Sequence, residues 1–177
     1  MRTPSACAPS KIDSVGLTRL ITRLNRGEDF NGRPIDAPTS FFPGVAVNPT
    51  ADDLEAEAAR FREKIEAGAK FAMTQIVFDL DVLDRFAEVL GGSWPVPVLA
   101  GIFPLTSHRL ALRLHNEVPG IIVPQALQDA LADAGPGAAE VGLAHARELV
   151  AAARDRCAGV YVVAPYKRPA RVLELLG

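Results

Sequence analysis

Two polar side chains combine a residue type and a position that suit ligand binding. Gln75 lies inside an otherwise apolar segment with the character of a buried strand, and Arg168 follows Lys167 directly after the last such segment. A buried amide needs hydrogen-bond partners for its oxygen and both amino hydrogens, which a ligand or the neighbouring backbone can supply. A guanidinium can bind a carboxylate through two parallel hydrogen bonds, although a surface arginine is often simply solvated. Both residues are therefore candidates for binding a ligand, and neither is a general base.

Other patterns that suggest chemistry are better explained as structure. Asp79, Asp81 and Asp84 together resemble a metal-binding cluster. Acidic residues at the start of a helix, however, commonly cap the helix and complement its dipole. The Gly135–Glu140 segment begins like a dinucleotide fingerprint, yet it follows a helical pattern and lacks the last glycine. The three histidines are scattered and the two cysteines lack metal-ligand spacing. The sequence predicts no metal site and assigns no catalytic residue.

Apolar segments of strand length alternate with amphipathic helical patterns along the chain. The strand segments are Val45–Val47, Phe71–Phe78, Val96–Ile102 and Val160–Val163. Strands that are apolar throughout and alternate with helices predict a parallel sheet covered by helices, either doubly wound or part of a β/α barrel. In both arrangements ligands bind beyond the carboxyl ends of the strands, which is where the two candidate residues lie.

Local signals place the helix starts and the chain's amino-terminal segment. Ser14 is expected to cap the first helix, and Thr50 with Asp53 forms a weak capping box before the second. Asp79 is expected to cap the helix that follows the second strand. Residues 1–11 are rich in Pro, Ser and Ala and predict a disordered tail.

Composition excludes several classes of partner. The formal charge is -2, from 19 Lys and Arg against 21 Asp and Glu, so no basic excess indicates binding to nucleic acid or anionic lipid. The longest apolar runs have strand length, well short of the roughly 18 residues that a membrane helix needs. The amino terminus has no signal-peptide pattern. We expect a cytoplasmic protein with no nucleic-acid and no membrane partner.

Six short segments carry a resemblance to a known family. They are Gly44–Thr50, Lys64–Ala69, Thr74-Gln75, Pro97–Ser107, Asn116–Gly120 and Ala158–Tyr161. In this order they resemble methylenetetrahydrofolate reductase, most closely the form found as the carboxyl-terminal part of bacterial proteins that also carry a homocysteine S-methyltransferase domain. The resemblance implies a (β/α)8 TIM barrel that carries FAD. It also implies an enzyme that reduces 5,10-methylenetetrahydrofolate to 5-methyltetrahydrofolate with NADH or NADPH, hydride passing through the flavin.

The resemblance implies contacts with the folate substrate for three residues. Gln75 would contact the folate and the nicotinamide donor at the flavin face, and Arg168 would help to hold the folate. Leu114 stands where some members stack an aromatic ring on folate. Leucine can give only an apolar contact at that position.

Three further residues are implied in flavin binding. Lys64 stands where the family has a lysine near the flavin phosphates, and Glu57 where it has an acidic residue near the flavin's sugar-like chain. These two are seven residues apart, so they share one helix face. Asn48 replaces the histidine that many members have before the proline, which alters a flavin contact.

The sequence lacks a place for two acidic residues that the family's first four strands supply, namely a proton-donating glutamate and a flavin-tuning aspartate. We therefore interpret residues 12–177 as the carboxyl-terminal half of the barrel, with about four strand–helix units. Exposed strand edges invite pairing, so a complementary half-barrel or self-association is expected. Three functions remain open: a reductase completed by a separate polypeptide, a non-catalytic folate- or flavin-binding remnant, and an inert gene fragment.

Overall fold

The structure is a computed structural model that describes residues 12–165, 170–173 and 175. The predicted tail, residues 1–11, lies outside the described residues. The strands are β1 (Gly44–Val47), β2 (Phe71–Ile76), β3 (Val98–Ile102) and β4 (Gly159–Val162). The helices are α1 (Ser14–Leu24), α2 (Leu54–Glu66), α3 (Asp81–Leu90), α4 (His108–Glu117), α5 (Gln125–Asp133), α6 (Ala138–Ala153) and α7 (Ala170–Leu173).

The four strands form one parallel sheet in chain order, β1-β2-β3-β4. Single helices connect β1 to β2 and β2 to β3, whereas α4, α5 and α6 together connect β3 to β4. Sequential parallel strands joined by helices are the arrangement of consecutive units in a β/α barrel. The predicted α/β fold, a partial TIM barrel of four strand–helix units, is confirmed.

One face of the sheet is covered by helices because alternate residues of β1 and β3, and Ala72 of β2, are apolar and buried. The packing of β1–β3 against α2 and α3 involves Val45, Val47, Ala72 and Val98 from the strands and Ala58, Phe61 and Phe86 from the helices. A second cluster joins Ala100 and Ile102 of β3 to Leu143, Ala146 and Leu149 of α6. Burial of these side chains positions the strands, and with them the loops at their carboxyl ends.

The opposite face, called the inner face here, is only partly covered. Alternation along the strands assigns to it Gly44, Ala46, Phe71, Met73, Leu99, Gly101, Gly159 and Tyr161. None of these residues is charged. Near the amino ends of β1 and β2, the ring of Phe42 stacks on that of Phe71 with centroids 5.6 Å apart, while the Phe42 residue remains 71% exposed.

The cap of α1 differs from the prediction. Asp13, not Ser14, caps this helix, because the Asp13 carboxylate accepts a hydrogen bond of 2.7 Å from the Gly16 N–H. A carboxylate at this position also complements the helix dipole. The guanidinium of Arg60 donates a hydrogen bond of 2.6 Å to Asp13 and holds the pKa of that carboxyl below its usual range.

The cap of α2 also differs. Asp53 is the capping residue and accepts from the Ala56 N–H at 2.9 Å, because Thr50 lies too far before the helix and makes other hydrogen bonds. At α3 the capping residue is Leu80, which makes no side-chain capping bond; the predicted Asp79 lies one residue earlier and accepts from the N–H of Asp81 at 2.9 Å. In the ranges described, the helices are too short or too polar to cross a membrane.

Candidate functional site

The carboxyl end of β2 contains a bulge that changes the direction of its side chains. The register of β2 against β3 shifts between Met73 and Ile76, so β2 carries one extra residue there. In this bulge the Thr74 hydroxyl oxygen accepts from the N–H of Gly101 at 2.9 Å and the hydroxyl donates to the carbonyl of Gln75 at 2.7 Å. The threonine side chain thus supplies a hydrogen bond that the strand backbone loses at the bulge.

Tyr161 holds the bulge from the neighbouring side. Its hydroxyl donates a hydrogen bond of 2.6 Å to the carbonyl oxygen of Thr74, reaching from β4 across β3 to β2. The ring passes over Gly101, where any side chain would collide with it. Burial raises the pKa of the Tyr161 phenol, so the hydroxyl keeps its donor at neutral pH.

Gln75 is the residue that this bulge positions. Its amide nitrogen donates to the Pro119 carbonyl at 3.3 Å, and its amide oxygen accepts from the N–H of Ile76 at 3.0 Å. An amide has two N–H donors and two oxygen lone pairs, so one donor and one lone pair remain beyond these two bonds. The side chain is half-buried. Gln75 is therefore fixed in place and still able to bind a ligand.

The loop after α4 joins the carboxyl ends of β1 and β2. The Thr50 hydroxyl lies 2.6 Å from the Gly120 carbonyl oxygen and 2.8 Å from Oδ1 of Asn48, and its single hydrogen bonds one of them at a time. Gly120 has φ +75°, and a side chain at this residue would run into the Asn48 amide. We call Asn48, Thr50, Gln75, Pro119 and Gly120 the β1–β2 site.

Glu57 and Lys64 lie beside this site, on α2. The Glu57 carboxylate accepts from the backbone N–H of Asn48 at 2.9 Å, and the Lys64 ammonium donates to the Ala46 carbonyl at 2.8 Å. Lys64 is only 7% exposed. Burial lowers the pKa of Lys64, and the nearby Glu57 carboxylate opposes that shift. Both charged groups thus contact the backbone of β1.

The structure brings together four of the six residues predicted for ligands: Asn48, Glu57, Lys64 and Gln75. Leu114 lies on α4 one turn before the Pro119–Gly120 loop, half-buried and packed against an apolar cluster that includes Phe78. Its contact with a substrate stays a prediction. Arg168 lies outside the described residues, so its position relative to Gln75 stays a prediction too.

A groove adjoins the β1–β2 site on its α3 side. It has a volume of about 240 Å³, and its lining includes Pro49, Thr50, Phe78, Asp79, Arg85 and Ile122. Sites that enclose drug-sized ligands usually measure roughly 300–1,000 Å³. The groove is therefore smaller than a site that encloses a drug-sized ligand.

The acid–base groups near the site are few. The carboxylates named above near the site are Glu57, which accepts from the Asn48 N–H, and Asp79 in the groove lining, which accepts from the Asp81 N–H. Within the described ranges, no three His, Cys, Asp or Glu residues lie close enough to hold a metal ion. The described residues of this site can bind and orient a ligand, and both carboxylates are engaged with backbone N–H groups.

Sequence reasoning missed three residues that shape the site. Thr50 and Thr74 lie in polar segments at strand ends, and Tyr161 lies in a segment that carries the family resemblance, but the sequence does not indicate the contacts through which they shape the site. The contact between Tyr161 and Thr74 joins residues 87 apart in the chain, and no local pattern indicates it.

Comparison of the sequence with known proteins identifies the family to which the chain belongs. A sequence model described as methylenetetrahydrofolate reductase matches residues 10–163, which include the whole β1–β2 site. The chain belongs to the methylenetetrahydrofolate reductase family. Arg168 lies beyond the segment of this chain that the reductase family model matches, whereas Gln75, Glu57 and Lys64 lie within that segment.

Individual reductases are more distant. The 5,10-methylenetetrahydrofolate reductase of Escherichia coli is 29% identical over 93 residues, which cover 52% of this chain and 29% of the relative. The enzyme of the same name from Buchnera aphidicola is 28% identical over 80 residues, covering 45% and 27%. Methylenetetrahydrofolate reductase 2 of Saccharomyces cerevisiae is 31% identical over 62 residues, covering 34% and 10%. The match thus spans less than a third of each reductase's own length.

Proposed function

We propose that this chain forms the part of a methylenetetrahydrofolate reductase barrel that contacts the folate substrate. The reaction is the reduction of 5,10-methylenetetrahydrofolate to 5-methyltetrahydrofolate, with NADH or NADPH as donor and FAD as carrier. The observation that carries the proposal is the position of Gln75. Its amide is held at the carboxyl end of β2 by the Thr74 bulge and by Pro119, inside the segment that matches the reductase family.

The chemistry of Gln75 suits this substrate. The pterin ring of a folate presents neighbouring N–H and C=O groups on one edge, and a primary amide can bind such an edge through a donor and an acceptor together. Gln75 has one N–H and one lone pair left for this purpose. The residue would orient the ring, while the proton and the hydride must come from groups outside the β1–β2 site.

The residues implied in FAD binding do not fit that group as they stand. A flavin diphosphate needs accessible cations, but the Lys64 ammonium is buried and bonded to the Ala46 carbonyl. The Glu57 carboxylate is likewise engaged with the Asn48 N–H. FAD binding by the completed enzyme therefore requires these side chains to move or other residues to contribute.

We propose a complementary half-barrel of the same family as the partner. The inner face has no charged residue on the four strands, and Phe71, Met73, Leu99 and Tyr161 on it are only half-buried, whereas the alternate strand residues of β1 and β3 are buried. The matched reductases are more than three times as long as their matched segments, which leaves ample chain for further strand–helix units. A second copy of this chain is the alternative outcome that a measurement of the complex would reveal.

A second candidate function is folate or flavin binding without catalysis. The observation that favours it is that Glu57, the carboxylate bonded to Asn48 of the β1–β2 site, is engaged with the backbone. A proton donor within hydrogen-bond reach is what general acid catalysis requires. Binding and turnover therefore have to be measured separately.

The experiment compares the chain alone with the chain mixed with the amino-terminal half of the Escherichia coli reductase. Binding of 5-methyltetrahydrofolate is measured by calorimetry, and turnover by folate-dependent oxidation of NADH with added FAD. We expect binding in both samples, turnover only in the mixture, and a one-to-one complex by light scattering. Binding without turnover in either sample supports the non-catalytic candidate. Absence of binding overturns the proposal, and turnover by the chain alone overturns the need for a partner.

A further inference from the structure

The free edge of β1 carries two backbone groups that another strand would normally use. β1 is at the edge of the sheet, with β2 as its only strand neighbour in the described part of the chain. In a parallel ladder, one residue of an added strand donates its N–H to the carbonyl of residue i−1 and accepts from the N–H of residue i+1. Around Val47 these two groups are the carbonyl of Ala46 and the N–H of Asn48.

Two side chains of α2 already occupy both positions. The Lys64 ammonium, a donor, lies 2.8 Å from the Ala46 carbonyl oxygen, and the Glu57 carboxylate, an acceptor, lies 2.9 Å from the Asn48 nitrogen. We propose that Glu57 and Lys64 form an edge cap that replaces one residue of a neighbouring parallel strand and closes β1 to strand addition between Ala46 and Asn48. This inference does not depend on the reductase function.

The chemistry of the pair suits a cap. The two residues are seven positions apart on α2, so they project from one face and reach two groups that flank a single strand residue. Both hydrogen bonds involve a charged partner and are stronger than neutral ones. The opposite charges of Glu57 and Lys64 compensate each other where Lys64 is buried. Exposed strand edges promote unwanted pairing, and charged side chains are a known protection against it.

The proposal also explains why the two residues do not fit a flavin as they stand. A side chain that completes the hydrogen bonds of β1 is not available to a diphosphate or a ribityl chain. A strand that pairs with β1 at Val47 must first displace both side chains. Release of the cap would therefore accompany completion of the sheet on this side.

Site-resolved amide exchange by NMR tests the carboxylate half of the cap. We expect Glu57→Ala to raise the exchange rate of the Asn48 amide about tenfold, the effect of losing one hydrogen bond to a charged acceptor. Glu57→Gln keeps an acceptor oxygen but loses the charge, so it should raise the rate clearly less than Glu57→Ala does. Glu55→Ala, at an exposed position of the same helix, is the matched control and should change nothing. An Asn48 rate unaffected by Glu57→Ala, or raised equally by Glu57→Gln, overturns the proposal.

The Lys64 part of the edge cap is tested by ammonium exchange in the wild-type protein and by self-association of a double variant. In the wild type the ammonium protons of Lys64 should exchange with water at least about tenfold more slowly than those of the exposed Lys70, because Lys64 is buried and hydrogen-bonded. The double variant Glu57→Ala/Lys64→Met should self-associate more than the wild type by light scattering, whereas Glu55→Ala/Lys70→Met should not. Equal ammonium exchange of the two lysines, or unchanged association of the double variant, contradicts the cap. The ammonium measurement needs no variant and stands even if the double variant fails to fold.

Discussion

The amide nitrogen of Gln75 lies 3.3 Å from the carbonyl oxygen of Pro119, so the end of β2 is bonded directly to the loop that follows α4. These residues are 44 apart in the chain. The same loop is bonded to the end of β1 through Thr50 and Gly120. The loop after α4 thus contacts the ends of both β1 and β2. Ligands bind at the carboxyl ends of the strands in β/α folds.

Gln75 contributes little to stability if its role is to bind a ligand. We expect Gln75→Ala to change the free energy of unfolding by no more than about 1 kcal/mol, because the side chain is half-buried and its bond to Pro119 is long. Urea unfolding measures this change. A loss of several kcal/mol would show that Gln75 is a structural residue and would remove the argument for a binding role.

Thr74 should matter far more to stability than its neighbour. The residue is 2% exposed, and its hydroxyl accepts from the Gly101 N–H. Thr74→Val keeps the shape but leaves that N–H unpaired, so we expect a loss of about 1–3 kcal/mol in urea unfolding. Thr106→Val, at a partly exposed threonine, is the control and should stay within about 0.5 kcal/mol of the wild type. Equal effects of the two variants would contradict the bulge's role.

Gly120 should tolerate no side chain. Gly120→Ala would place a Cβ against the Asn48 amide at φ +75°, so we expect a loss of about 1–2 kcal/mol from the left-handed conformation alone. Gly137→Ala is the matched control, because Gly137 has φ -82° and open space around it. That variant should be neutral or stabilised by about 0.4–1 kcal/mol. Thermal unfolding of both variants checks the difference, and a stable Gly120→Ala protein would refute the contact.

Burial of Lys64 predicts a pH dependence with a definite sign. Its pKa in the folded chain is below the ordinary 10.5, so between these two values the unfolded chain binds more protons. Stability then rises with pH across that window. We expect the unfolding free energy of the wild type, minus that of Lys64→Met, to increase as pH rises toward 10.5 and to level off above it. The raised pKa of Tyr161 acts on both proteins and cancels in the difference. A difference that falls with pH would contradict the buried position of the lysine.

The strands were predictable because their apolar segments are continuous and flanked by polar loops, as around Val98–Ile102. The helix caps were less so. Asp13 and Ser14 are adjacent and both suit a cap, and the choice of Asp13 depends on backbone geometry and on Arg60 from another helix. Thr50 looked like part of a capping box, but a loop 70 residues away supplies its partner.

The sequence indicates some residues at or beside the candidate site, but not the contacts between them. The family resemblance indicated Gln75, Glu57 and Lys64, and the structure brings them to neighbouring strand ends. Lys64 bonds to the carbonyl of Ala46 in β1, and Glu57 bonds to the N–H of Asn48 directly after β1. These contacts could not be predicted, because they depend on how α2 packs against the edge of the sheet. Helical spacing shows that two residues share a face, but not what that face contacts.

The most direct test of the account is an NMR titration of the chain with 5-methyltetrahydrofolate. We predict that the amide signals of Asn48, Gln75 and Gly120 shift together, and that Gln75→Ala weakens the affinity about tenfold while the protein stays folded. Shifts confined to other parts of the chain, or an affinity unaffected by Gln75→Ala, would contradict the assignment of this site to folate.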